Sequence, residues 1–216
     1  MIALNKLPRK SRQNRTARQK LRFTPTAWAK LLFLRDAGPT EVGMFGISSP
    51  DDLLLVNDVA LVRQHCTAVT TAFDDTSVAD FLDVQIDLGR SPQECCRIWL
   101  HTHPGDCPHP SGTDEETFAD AFGGPDWSVL FIIARGGQTY CRMQTNAGPG
   151  MRRRIGVEVD FDTYFDGSDH DAWAAEYADN VLIEDPFRGT TNPSVPWPDG
   201  PSPSLERWNE SEWVAS

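Results

Sequence analysis

Two imidazoles, a hydroxyl and a carboxylate lie within fourteen residues of this 216-residue chain, at His101, His103, Ser111 and Asp114 in the run HTHPGDCPHPSGTD. His101, His103 and Asp114 are three candidate ligands for one zinc ion, and three protein ligands leave the fourth tetrahedral position to water. Zinc makes such a water a nucleophile near neutral pH, so these residue types point to a hydrolase site.

The flanking residues say how the groups are held. Arg97-Ile98-Trp99-Leu100 carries the β-branched and aromatic bias of a strand. Side chains alternate along a strand, so His101 and His103 share a face with Cα atoms roughly 6.6 Å apart, two rises of about 3.3 Å. Pro104 suits a strand end. Gly105 to Pro110, with one Gly and two Pro, is a loop. Ser111 followed by Asp114, Glu115 and Glu116 has the pattern of a helix start, so Ser111 and Asp114 also read as a capping box. The two readings are compatible: the pair can start a helix and finish a metal site together. Cys107 and His109 lie in the same loop. Either could act on the metal, Cys107 as an alternative ligand or redox brake, but a site with three ligands is complete and both are read as lining residues.

His-Thr-His-Pro, six residues, Ser, two residues, Asp resembles the JAMM motif of the MPN-type (JAB) metalloprotease family, in its bacterial deubiquitinase-like branch. The resemblance spans roughly residues 20 to 150. It implies an upstream glutamate on a neighbouring strand, and Glu41 in Thr40-Glu41-Val42-Gly43-Met44-Phe45-Gly46 stands where the family has it. It further implies one Zn2+ on His101, His103 and Asp114, Glu41 as the acid–base residue, and Ser111 as a donor to the developing oxyanion. Gly43 and Gly46 suit Glu41, because small residues allow close approach of backbone beside a site. The fold implied is α/β, a mixed central β-sheet flanked by helices with MPN/JAB-type, cytidine-deaminase-like layering. The activity implied is an isopeptidase or processing protease acting after the C-terminal glycine of a ubiquitin-like protein, with ubiquitin-like conjugation enzymes as partners, in a bacterial conjugation or antiphage operon. A sulfur-carrier processing protease uses the same chemistry, and a RadC-like protein of DNA metabolism or a non-catalytic scaffold are further readings.

Composition narrows these. The net charge is −11, yet all thirty-one acids follow residue 35 while ten of the twenty basic residues lie within residues 1–35. An acidic body speaks against nucleic acid as the main partner and suits a basic one. No apolar run approaches eighteen residues, so no membrane span is expected. Five cysteines without a CxxC pair do not make a disulfide framework, and a cytoplasmic, reducing setting is expected by default.

Residues 1–22 read as a basic arm, 23–160 as the catalytic domain, and 161–216 as an acidic, Pro- and Trp-rich extension with Trp197, Trp208 and Trp213 as candidate anchors. Within the domain, helices are expected from Thr24 or Thr26 to about Asp36, from Asp75 or Thr76 to about Leu88 with Val78, Phe81, Leu82 and Ile86 on one side, and from Ser111 to about Phe122. Strands are expected at Lys20–Phe23, Glu41–Ile47, Asp52–Val56, Val59–Val62, the His101 segment, Ser128–Ala134, Thr139–Gln144 and an edge strand within Arg152–Phe161. One more helix is expected at about His170 to Leu182.

Overall fold

Leu21 and Phe23 point inward from Lys20–Phe23 (β1), and the chain then turns into a helix because Thr24 accepts a hydrogen bond from the Ala27 N–H and Pro25 takes the first helical position. The computed structural model describes residues 19–184, which belong to one compact unit ending at Glu184. Most of the basic arm and the Pro/Trp-rich tail with its three tryptophans therefore lie outside the described residues. The boundaries expected at 22 and 160 fall inside this unit, since β1 is a sheet strand and the chain beyond 160 packs back onto the body.

Helix α1 (Pro25–Asp36) is followed by β2 (Gly43–Ser49) and β3 (Asp52–Ala60), then by β4 (Gln64–Cys66), β5 (Thr71–Phe73), α2 (Asp75–Asp87) and α3 (Pro92–Cys95). Strand β6 (Ile98–His103) leads through a loop to α4 (Gly112–Phe122), β7 (Trp127–Ala134) and β8 (Thr139–Thr145). The described chain closes with β9 (Met151–Arg154), β10 (Gly156–Val159), α5 (His170–Asn180) and β11 (Val181–Ile183). Eight strands form one mixed sheet in the order β10-β1-β3-β2-β6-β7-β8-β9, and β11-β4-β5 form a second. Strands β9 and β10 stand at opposite ends of the large sheet although only Ile155 separates them, so this segment links the sheet's two ends.

The sheet is covered on both faces, and alternation along β6 and β7 assigns each residue its face. Ile98, Leu100, Val129, Phe131 and Ile133 pack with Leu31 and Leu34 of α1. Trp99, Leu130 and Ile132 face the other way, against Phe118 and Phe122 of α4 and Phe45 of β2. Both faces of β7 are therefore apolar, as burial on two sides requires. The β6–α4–β7 crossover joins two parallel strands, with His101 opposite Ile132 and His103 opposite Ala134. Helix α5 is fastened by Lys30, which reaches Glu176 at 2.8 Å and Asp58 at 3.2 Å, while Glu176 also accepts from the Leu61 N–H.

Several expectations are corrected. Val59 is not the start of a new strand: β3 runs unbroken from Asp52 to Ala60, with its register shifting opposite Ser48. Ile86 of α2 points to solvent, and Gln85 takes the inward position instead, because the stripe of Val78, Phe81 and Leu82 continues at i+7 rather than i+8. The segment read as one edge strand from Arg152 is two strands serving opposite sheet ends. The last helix stops at Asn180, and Val181–Ile183 pairs with β4 instead. Among the described residues, no helix is long and apolar enough to cross a membrane.

Candidate metal centre

Four residues from three parts of the chain converge above the C-terminal end of β6. Glu41, His101, His103 and Asp114 each offer one ligand atom, and these atoms all lie within 4.8 Å of one another. Glu41 precedes β2, whose Gly43 sits opposite His101 across the sheet. Asp114 comes from the first turn of α4. The His101 side chain is fully enclosed, whereas Asp114, Glu41 and His103 show 7%, 10% and 11% exposure, so the centre is reached from their side.

The atoms look inward without satisfying one another. His101 Nε2 stands 3.2 Å from a Glu41 oxygen and 3.3 Å from an Asp114 oxygen, and His103 Nε2 stands 3.5 Å from the other Asp114 oxygen. None of these contacts is aligned as a hydrogen bond, leaving both Nε2 atoms buried without a partner. Buried polar atoms are nearly always paired. Two orphaned imidazole nitrogens facing two carboxylates around one point are the donor set that a divalent metal ion would satisfy, and the residues present fit such an ion.

Each member is oriented by its neighbours. His103 Nδ1 donates to the Cys107 carbonyl at 2.8 Å, which leaves Nε2 as the free lone pair. Cys107 thus serves the site through its backbone, and its thiol is exposed. His101 lies against the Trp99 ring, with centroids 5.1 Å apart. His109 meets the edge of Tyr140 at 5.7 Å rather than joining the cluster. Ser111 caps α4: its Oγ accepts from the Asp114 N–H at 3.1 Å, and its own N–H donates to an Asp114 carboxylate oxygen at 2.7 Å. Capping box and candidate ligand are therefore the same residue. Next to it, Glu115 pairs with Arg142, whose hydrogen bonds hold the glutamate below its ordinary range, with the Arg152 charge adding to the effect.

Sequence reasoning missed the residues that hold Glu41. Thr102 Oγ1 accepts from the Val42 N–H at 2.9 Å, and Val42 accepts from the Thr102 N–H. Gln64, fully buried in β4, accepts from the Gly43 N–H and donates to its carbonyl, both at 2.8 Å. A three-residue strand carries no period that could announce this, though a buried glutamine beside apolar residues is a signal in retrospect. Gly43 and Gly46 are explained by packing: an added Cβ would lie 2.7 Å from the Phe73 ring or 3.0 Å from Ile98. Replacing Gln64 with leucine leaves the Gly43 N–H and C=O without partners, so stability falls by about 2–6 kcal/mol, at roughly 1–3 kcal/mol for each group; urea unfolding with chelator present measures this.

The chain matches no protein-family model and no curated protein sequence.

Protonation gives one observable. Burial alone would lower the His101 imidazole, but contact with the Asp114 and Glu41 carboxylates outweighs it and raises the group to about 9. Burial would raise Asp114, yet the two histidines and the Ser111 N–H hold it far below the usual carboxylate range. In metal-free protein the His101 contribution to stability is complete below about pH 6.5 and disappears as pH rises through 9; that of Asp114 is present above about pH 4 and disappears in acid. A metal ion takes the neutral imidazole and displaces its proton. The gap in melting temperature between zinc-loaded and chelated protein should therefore widen from pH 6.5 to 9, and scanning fluorimetry would show a flat gap if these histidines were not the ligands.

Proposed function

We propose that this chain is a zinc-dependent amide hydrolase of the JAMM type, an isopeptidase or processing protease that cuts after the C-terminal glycine of a ubiquitin-like protein. The observation that carries the reading is the meeting of Glu41 with His101, His103 and Asp114 within 4.8 Å. A capping box needs only Ser111 and Asp114, and a packed strand histidine needs no buried glutamate beside it. The mixed sheet with helices on both faces supports MPN-type layering.

His101, His103 and Asp114 would hold the ion. When bound, zinc lowers the pKa of a coordinated water from near 16 to about 7. The protein's own groups supply the rest. Glu41, held beside His101 Nε2, takes the proton from the attacking water and passes it to the leaving amine, a transfer that typically contributes on the order of 10²–10⁴-fold. Ser111 Oγ already accepts a backbone hydrogen bond, so its hydroxyl proton is free to donate to the carbonyl oxygen as negative charge develops there. The N-terminus of α4, which Ser111 caps, would add the positive end of the helix dipole to that donor. The acidic body suits a basic ubiquitin-like partner, and five free thiols suit a reducing cytoplasm.

The test is cleavage of ubiquitin-like domains fused through a C-terminal glycine to a reporter. Zinc-loaded protein should cut after that glycine, and intact fusions in the presence of stoichiometric zinc would overturn the reading.

A further inference from the structure

Charge is divided across the α4 face of the sheet. On the β5 side, α2 carries Asp75, Asp80, Asp83 and Asp87 exposed and no basic residue. A cavity of about 390 Å³ there is lined by Phe45, Phe73, Val78 and Leu82, with Asp75 and Asp120 among its lining residues. On the other side β9 reads Met-Arg-Arg-Arg, with every residue exposed.

Register sorts the three arginines. Arg152 stands opposite Gln144 and Arg154 opposite Arg142, so both of these cross-strand pairs share the face of α4, while Arg153 lies on the reverse. Arg154 stacks 4.1 Å over Tyr140, the same ring that His109 of the metal loop meets edge-on. Like charges directly opposite one another destabilise a sheet. Arg142 is neutralised by Glu115, but Arg152 and Arg154 have no carboxylate within ion-pair distance among the described residues. Charged residues on an edge strand do discourage unwanted pairing. That function does not require two of them aligned on the α4 face, one stacked on the aromatic ring that His109 also meets. Among the described residues the outer edge of β9 also has no strand partner, leaving its backbone groups able to receive an extended chain.

We propose that Arg152 and Arg154 form a carboxylate-recognition subsite, where an acidic, extended stretch of the substrate polypeptide lies along β9 on the α4 face of the sheet. The proposal rests on reading the centre as a peptide hydrolase. It gives the substrate a polarity: the acidic flank takes its basic or apolar part, and the arginine flank takes its acidic part. Planar guanidinium groups suit carboxylates in this role because they can pair with both oxygens at once.

The test uses zinc-loaded full-length protein and three fluorescent probes at low salt, namely hexaglutamate flanked by glycines, the hexalysine equivalent, and a twelve-nucleotide oligothymidine. Hexaglutamate should bind, and the double substitution Arg152→Glu with Arg154→Glu should weaken it at least about tenfold, as expected for loss of two charge-assisted contacts. Arg153→Glu, on the reverse face, should change it less than about twofold. Equal binding by the double variant, with its melting temperature preserved, overturns the subsite, as does absence of binding to wild type. Oligothymidine displacing the peptide and binding more tightly through the same two arginines overturns the choice of a polypeptide ligand. Arginine-dependent peptide binding without fusion cleavage would sink the hydrolase reading alone, whereas cleavage with arginine-independent binding would sink only the subsite.

Discussion

Glu41→Gln is expected to lower cleavage of a glycine-linked fusion by about 10²–10⁴-fold while the protein still binds one zinc ion. The substitution keeps the volume and hydrogen-bonding reach of a buried side chain and removes only its ability to accept a proton. It also separates two roles that the geometry leaves side by side, since Glu41 and Asp114 approach His101 Nε2 to 3.2 and 3.3 Å. If Glu41 were a permanent ligand, zinc content and activity would fall together. If it is the proton carrier, zinc content by mass spectrometry stays at one per chain while kcat falls. Unchanged kcat in the glutamine variant would remove Glu41 from the chemistry altogether.

His101→Ala is expected to abolish stoichiometric zinc and to destabilise even the metal-free protein. His101 is the member fully enclosed by the fold, so no solvent can take its place. Its removal leaves the Glu41 and Asp114 carboxylates facing each other beside a void under Trp99. Breaking a buried charge pair typically costs about 3–5 kcal/mol. Loss of metal affinity should exceed the 10–100-fold usual for removal of a residue that merely orients a ligand. Cys107→Ser is the matching control: because only the Cys107 carbonyl contacts His103, zinc affinity should hold within about twofold. Full zinc retention by His101→Ala, or zinc loss in Cys107→Ser, would each reject the assignment of ligands made here.

The cluster could be read in advance because most of it is local. His101 and His103 share a face through strand alternation, and Asp114 follows a Pro-bounded loop at a helix start, so short-range geometry brings three groups together. Glu41 was found through resemblance alone; its sixty-residue separation from His101 is closed by the β2–β6 pairing, which no local pattern contains. The helices at Thr24 and Ser111 were equally plain, since a capping side chain followed by an apolar stripe is a local signal. The strands β4, β5 and β11 were not, because each has three residues and β11 pairs with a strand more than a hundred residues earlier. With them went Gln64, whose function depends wholly on that second sheet.

Residue order therefore settled which chemical groups this protein presents and which of them share a strand face or a helix turn. Tertiary structure decided what surrounds them: Glu41 buried beside the imidazoles, Cys107 serving through its carbonyl, His109 turned to Tyr140, and Arg152 and Arg154 brought to the α4 face of the sheet. The reason is the range of the forces involved. Side-chain alternation and helix capping act over two to four residues and are written in sequence, whereas burial, orphaned nitrogens and the meeting of distant strands exist only once the whole sheet has closed around them.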